Sequence, residues 1–324
     1  MSLKSIHWGE AFRLVWRTLP IAGARLGVLV LFWLGTLIYF AAVGALAYFA
    51  AQAAPWLGIV LGVIGLGGYG WLYSLAQRYV LYLVKAAQIA VMARLLETGE
   101  LPGGIGQLQW GKEQVTARFG EVSAMFLVDQ VVTAVVRGFS ALVSGLASWA
   151  PGDALKGLAR MAGRVAHYAV TYVDEAILAR TFWVDDGTVW ANARDGVVLY
   201  AMVWKALLLN AVVLMLASYV PAVLVVLLLA APAGLLASAV APSLEGWIVL
   251  AIVALGLVVK AAIGDSFAMA AIIAAYRREI EGLEPDPALL ARLGKVPRFG
   301  YLAQRVEEEE QASTGMWLGP EGAA

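Results

Sequence analysis

The stretch TYVDEAILARTF, Thr171 to Phe182, sets two adjacent carboxylates, Asp174 and Glu175, inside a helical segment of an otherwise apolar chain. At 100° per residue, Lys156, Arg160, Arg164, His167, Thr171, Asp174 and Glu175 fall within about 100° of one another. One helix edge is therefore basic at its start and acidic at its end. Carboxylates, an imidazole and a hydroxyl on one edge are groups that bind a proton, a small cation or a polar solute. They do not face lipid, because each ionised group costs about 2.5–3.5 kcal/mol on insertion scales. Two settings satisfy the edge: a cavity between helices, or the cytosolic membrane surface with the charges solvated.

Further charges lie deep in apolar runs. Lys260 stands about 13 residues into the last run, about 20 Å along a helix. Asp129 reaches a comparable depth in its own segment. Lys260 is expected to pair with Asp129 or Asp174. Asp265, one turn nearer the cytosol, reads as interfacial, and Arg137 is the other charge of the segment that holds Asp129. The candidate cluster is Asp129, Arg164, His167, Asp174, Glu175 and Lys260, with Arg137 and Asp265 secondary.

Catalytic and metal chemistry find little to work with. There is no cysteine, and the two histidines, His7 and His167, lie in separate elements. HExxH, GxSxG and P-loop patterns are absent, and GGIGQ at 103–107 reads as a turn. The expectation is a protein that is not an enzyme and uses neither metal nor cofactor. Zero net charge offers nothing to nucleic acid.

The elements that must position these groups are membrane helices. The chain has 324 residues, 61% apolar and 14% charged, against about 25% charged in soluble domains. LGVLVLFWLGTLIYFAAVGALAYF exceeds the ~20 apolar residues that a spanning helix needs. Four spans are expected: one at about 24–50, a second in a helix that starts at Trp56 and runs on past the bilayer through Arg78 and Lys85 to Glu97, and two at about 205–230 and 247–277, with Pro221 a kink. A middle hairpin brings the count to about six if residues 121–183 cross fully. Amphipathic interfacial helices precede the first and fifth spans. In the first of these Ile6, Phe12, Val15 and Leu19 share a face. Gly58 and Gly62 have the GxxxG spacing that admits a close helix. The fold class is thus an all-α polytopic membrane bundle with one domain over 1–284: a first half 5–98, the middle hairpin 106–183 and a second half 188–283. Residues 285–324 read as a mostly disordered cytosolic tail.

Basic residues set the orientation. Lys4, Arg13, Arg17 and Arg25 precede the first span, and Arg78, Lys85, Arg94, Lys112 and Arg118 follow the second. Loops 51–55 and 231–246 hold no Lys or Arg, which puts both termini in the cytosol and the protein in the cytoplasmic membrane. An internal repeat is also suggested. GEAFRLVWR precedes the first span as GVVLYAMVWK precedes the fifth. VKAA recurs at Val84 and Val259, and ETGELPG and EGLEPDP close the two long helices.

The order FGEVSAMFLVDQVVTAVVRGF, TYVDEAILARTF, NARDGVVLYAMVWKALLLNAVVLMLASY and VVKAAIGDSFAMAAIIAAYRREIEGLE resembles the C-terminal membrane half of the choline transporter-like proteins, over about 106–284. That family's large extracellular domain has no counterpart here. The chain is also similar to bacterial conserved membrane proteins of unassigned function. The resemblance implies transport of a small solute. Composition and pattern leave two classes open: a carrier of a small cationic or polar solute through the polar cluster, or a scaffold or accessory subunit that holds partner proteins or further copies of itself in the bilayer.

Overall fold

A computed structural model describes residues 7–119, 128–136, 172–184, 188–240, 245–295 and 297–317. Every regular element among them is helical. Helix α1 (Trp8–Arg17) buries Ala11, Leu14 and Val15, the i, i+3, i+4 stripe of an amphipathic helix, against the last long helix. Phe12, expected on that face, points away with Trp8 and Trp16, and all three are about half exposed or more. Phe12 lies one residue round from Ala11, and small Ala11 is what lets α1 approach closely. The chain then breaks at Thr18, whose buried hydroxyl donates to the Leu14 carbonyl at 3.0 Å. Pro20 opens α2 (Leu19–Ala53), where a missing N–H costs nothing.

Helix α2 folds back through extended Ala54 onto α3 (Pro55–Ala76). The crossing is made at Gly58 and Gly65, two turns apart. A Cβ on Gly58 would lie 2.7 Å from both the Ala47 carbonyl oxygen and Ala51 Cβ, and one on Gly65 would lie 2.3 Å from Val43 Cγ1. Gly62 has open space before it, so the contact does not use the GxxxG pair. From α3 the chain runs without a stop through a π turn (Gln77–Leu81) into α4 (Tyr82–Thr98), which left-handed Gly99 ends at φ 73°.

Helices α5 (Gln107–Phe119), α6 (residues 128–136) and α7 (residues 172–183) represent the middle section. Arg137, Arg164 and His167 lie outside the described residues, as do Lys156, Arg160 and Thr171. Helix α8 (Val189–Ala217) joins the expected amphipathic segment and the start of the fifth span in one helix, because no breaker separates Lys205 from Ala206. It ends at Ser218 and Tyr219, just before Pro221, where the kink was expected. Helices α9 (Val220–Val240) and α10 (Glu245–Val259) form the second hairpin. A second π turn (Lys260–Gly264) leads into α11 (Asp265–Glu279), and left-handed Gly282 follows at φ 72°. Gly99 and Gly282 fall at the same spacing after their π turns, and Pro102 and Pro285 at the same spacing after the glycines.

The tail departs from the expected disorder. Asp286 caps α12 (Pro287–Leu293) by accepting the Ala288 N–H at 2.9 Å. Helix α13 (Pro297–Trp317) packs Phe299, Leu302 and Val306 onto α8. Those three recur at i, i+3 and i+7, a stripe that the acidic run at 307–310 masked in composition.

The result is a body and two hairpins. Buried residues concentrate in α1, α4, α6–α8 and α11. The hairpins α2/α3 and α9/α10 instead expose Leu31, Ile38, Leu46, Ile59, Ile64, Leu227, Leu235 and Leu250. Four helical segments, Leu19–Ala53, Pro55–Thr98, Asn210–Leu235 and Gly246–Glu279, are long and apolar enough to cross a membrane. In α2 the most apolar window has no buried residue. Bare apolar helices of this length are what a bilayer covers.

Candidate functional site

Where the hairpins meet the body, α2, α4, α7 and the second π turn bring polar side chains together. Lys85, on α4, extends to Glu175 on α7, with Nζ 2.8 Å from Oε1. Asp174 accepts the Thr133 hydroxyl of α6 on Oδ2 and the Glu175 N–H on Oδ1 at 2.8 Å. Asp174 is 3% exposed, Glu175 5% and Asp129, on α6, 7%. All three carboxylates lie within electrostatic reach of Lys85. Among the described residues, Oε2 of Glu175 is buried and accepts no hydrogen bond.

Lys260 takes a different partner from those expected. Its Nζ lies 2.7 Å from Oδ1 of Asp265, and Asp129 and Asp174 surround Lys85 instead. The reason is the π turn. With i→i+5 hydrogen bonding, residues five apart come onto one face, whereas in an α-helix they diverge by about 140°. Asp265 therefore belongs to the cluster rather than to the interface. It also accepts the Tyr172 hydroxyl at 2.6 Å, and Tyr172 meets Ser218 Oγ at 3.1 Å. Lys260 sits 4.8 Å from the Tyr219 ring centroid, a cation–π contact at the break between α8 and α9.

Gln88 on α4 links the two sides. It is fully buried, accepts from Arg25 Nη1 of α2 at 3.0 Å and donates to Ser266 Oγ of α11 at 2.8 Å. Ser266 donates in turn to the Ala262 carbonyl inside the second π turn, at 2.5 Å. A cavity of about 370 Å³ lies among these groups, walled by Arg25, Lys85, Tyr172, Glu175, Tyr219, Lys260 and Asp265. A second of about 230 Å³, reached by Arg25, Lys85 and Asp129, opens beside Val28, Leu29 and Tyr73 of the first hairpin.

The remaining charge of the opening motif does other work. Arg180 donates to the Asn192 carbonyl at 3.0 Å, near a cavity of about 470 Å³ at the far end of the body. Arg278 pairs there with Glu10, and Arg277 caps the Leu96 carbonyl. These contacts tie α1 and α4 to α11, and α7 to α8.

Of the expected cluster, the structure brings Asp174, Glu175 and Asp129 together around Lys85, and places Lys260 and Asp265 across the cavity. Lys85, Arg25, Gln88, Tyr172, Thr133 and Ser266 were not singled out as site residues. The recurring VKAA marks Lys85 and Lys260 equally, and was the signal for Lys85. Tyr172→Phe should cost about 1.5–3 kcal/mol, the range for a hydrogen bond to a charged group. The thermal midpoint of the detergent-solubilised protein measures it. An unchanged midpoint would remove Tyr172 from the network.

No protein-family model matches the chain, and neither the curated proteins nor the solved structures contain a significant match.

Proposed function

We propose that this protein is a membrane carrier for a small polar solute, with its site at the root of the hairpins. The observation that carries this reading is the cavity of about 370 Å³ lined by charged groups from both halves and the middle section. Charges kept only to lock helices together leave no space between them. Here the two ion pairs, Lys85–Glu175 and Lys260–Asp265, face a common opening, and Glu175 keeps an oxygen with no hydrogen bond among the described residues. The recurring π turns, left-handed glycines and prolines support a two-fold repeat whose halves present one bare hairpin each. Repeats of this kind let one unit rock against the other around a fixed site. The resemblance of 106–284 to choline transporter-like proteins points to the same class.

Currents from purified protein on a solid-supported membrane test it. Rapid jumps in concentration should be made with choline, glutamate and inorganic phosphate in turn. At least one class should give a transient current, and Asp174→Asn should abolish it while the thermal midpoint stays within a few degrees. Silence from folded protein with every class would overturn the carrier reading.

A specific observation favours a second reading, that of a scaffold. Gly62, Gly67 and Gly70 on α3 have open space before them, where a partner's helix fits closely. On that reading Asp174→Asn destabilises the protein, and a partner copurifies from native membranes.

For either role we place both termini in the cytosol of the cytoplasmic membrane. The chain has no cysteine, so single cysteines report directly. In intact cells an impermeant maleimide should label Ser238→Cys, at the end of the second hairpin, and spare Glu307→Cys in α13. The reverse pattern would invert the topology.

A further inference from the structure

We infer that Arg25 anchors an anionic phosphate group, and that the site takes a phosphate-bearing ligand. This rests on the carrier reading and names its ligand class. Three cations, Arg25, Lys85 and Lys260, line the cavity of about 370 Å³. Lys85 is held by Glu175 and Lys260 by Asp265. Among the described residues Arg25 pairs with no carboxylate: its hydrogen bond is to the neutral side chain of Gln88, through one of five N–H donors. It lines both cavities. Gln88 is fully buried and held by Ser266, so one nitrogen of the guanidinium is anchored before any ligand arrives. A planar fork with free donors is the group that matches a phosphate bidentately.

The surroundings favour a phosphate on an amphipathic molecule. Arg25 stands about two turns along α2, where the packed body gives way to the bare hairpin. The smaller cavity is lined by Arg25, Lys85 and Asp129 together with Val28, Leu29 and Tyr73 of the first hairpin. A cation at that boundary is costly without a counter-charge. A phospholipid headgroup, with its chains along the hairpin, supplies one; so does free phosphate entering from water. The three carboxylates around Lys85 disfavour an anion beside them, which leaves the Arg25 end of the opening for the phosphate.

The test uses the full chain, purified in neutral detergent. Thermal midpoints are read during titration with phosphatidylglycerol, with phosphatidylcholine, and with inorganic phosphate. Arg25→Gln keeps a donor for Gln88 and removes the charge. Phosphatidylglycerol should stabilise the wild type at concentrations about 10- to 100-fold lower than it stabilises Arg25→Gln. Arg25→Lys should fall between them. A shift with phosphatidylglycerol alone identifies a lipid, and one with inorganic phosphate as well identifies a soluble phosphate compound; both outcomes support the anchor. Equal responses of wild type and Arg25→Gln, or no response to either anion, would overturn it. Because the readout is binding, an absence of solute currents with this shift intact defeats the carrier and spares the phosphate site. Currents that survive in Arg25→Gln defeat the anchor and spare the carrier.

Discussion

Lys85→Met is expected to lower stability by about 3–5 kcal/mol, the cost of removing one partner from a buried ion pair. Glu175 is 5% exposed and would lose the cation that its Oε1 touches, with the Asp174 carboxylate alongside. Glu175→Gln alone should also destabilise the fold, by leaving the Lys85 ammonium without its carboxylate. The double variant, Lys85→Met with Glu175→Gln, should recover most of the loss, because neutral side chains of similar size replace a buried pair at little cost. That recovery is the coupling energy of a double-mutant cycle. Tryptophan fluorescence of the detergent-solubilised protein would follow it, with the Lys85→Met midpoint down by on the order of 10 °C. A Lys85→Met midpoint within 2 °C of wild type would show that the pair does not hold α4 to α7.

Gly264→Ala should be as damaging, though it adds one methyl group. The added Cβ would lie 1.9 Å from the Ser218 carbonyl oxygen and 2.8 Å from its carbon. Both are backbone atoms, so neither can rotate out of the way as a side chain would. The second π turn must retreat from the α8–α9 break by more than an ångström, which drags Lys260 from Tyr219 and Asp265 from Tyr172. Overpacking costs about 1–3 kcal/mol where side chains can adjust. Here about 3 kcal/mol or more is expected. Gly62→Ala is the control: its Cβ meets nothing within 4 Å, and alanine favours a helix over glycine by about 0.8–1 kcal/mol. Gly62→Ala should match or exceed wild type in folded yield and midpoint. If Gly264→Ala behaves like Gly62→Ala, the close contact at Ser218 is not a feature of the folded protein.

Part of the candidate site was legible because charge in an apolar chain is conspicuous. Asp174 and Glu175 stood out for that reason, and their burial is observed. Polar residues without charge did not stand out. Gln88, Thr133 and Ser266 are common in helices, and their roles arise only from what lies opposite them. Lys85 was read as one of the basic residues that follow the second span. The hydrophobic run and the helix that continues from it into the body are one rod, and periodicity does not mark where along it burial begins. The tail was misread for the opposite reason: four glutamates dominated its composition, while three apolar side chains spaced along one face determined its packing.

By itself the sequence determined the class of the protein, because apolar runs of this length have few other solvents than lipid. It also determined where chain direction changes: Pro20, Pro55 and Pro221 open helices, and Gly99 and Gly282 close them. Each of these follows from the steric needs of one or two residues. Ion-pair partners were a matter for the tertiary structure. A π turn at 260–264 moves Asp265 onto the face of Lys260, and the approach of α7 to α4 gives Glu175 to Lys85. Both depend on how closely helices pack, which glycine and alanine at distant positions control. A charge in lipid must be satisfied, but which group satisfies it depends on distances of a few ångströms between segments far apart in the chain.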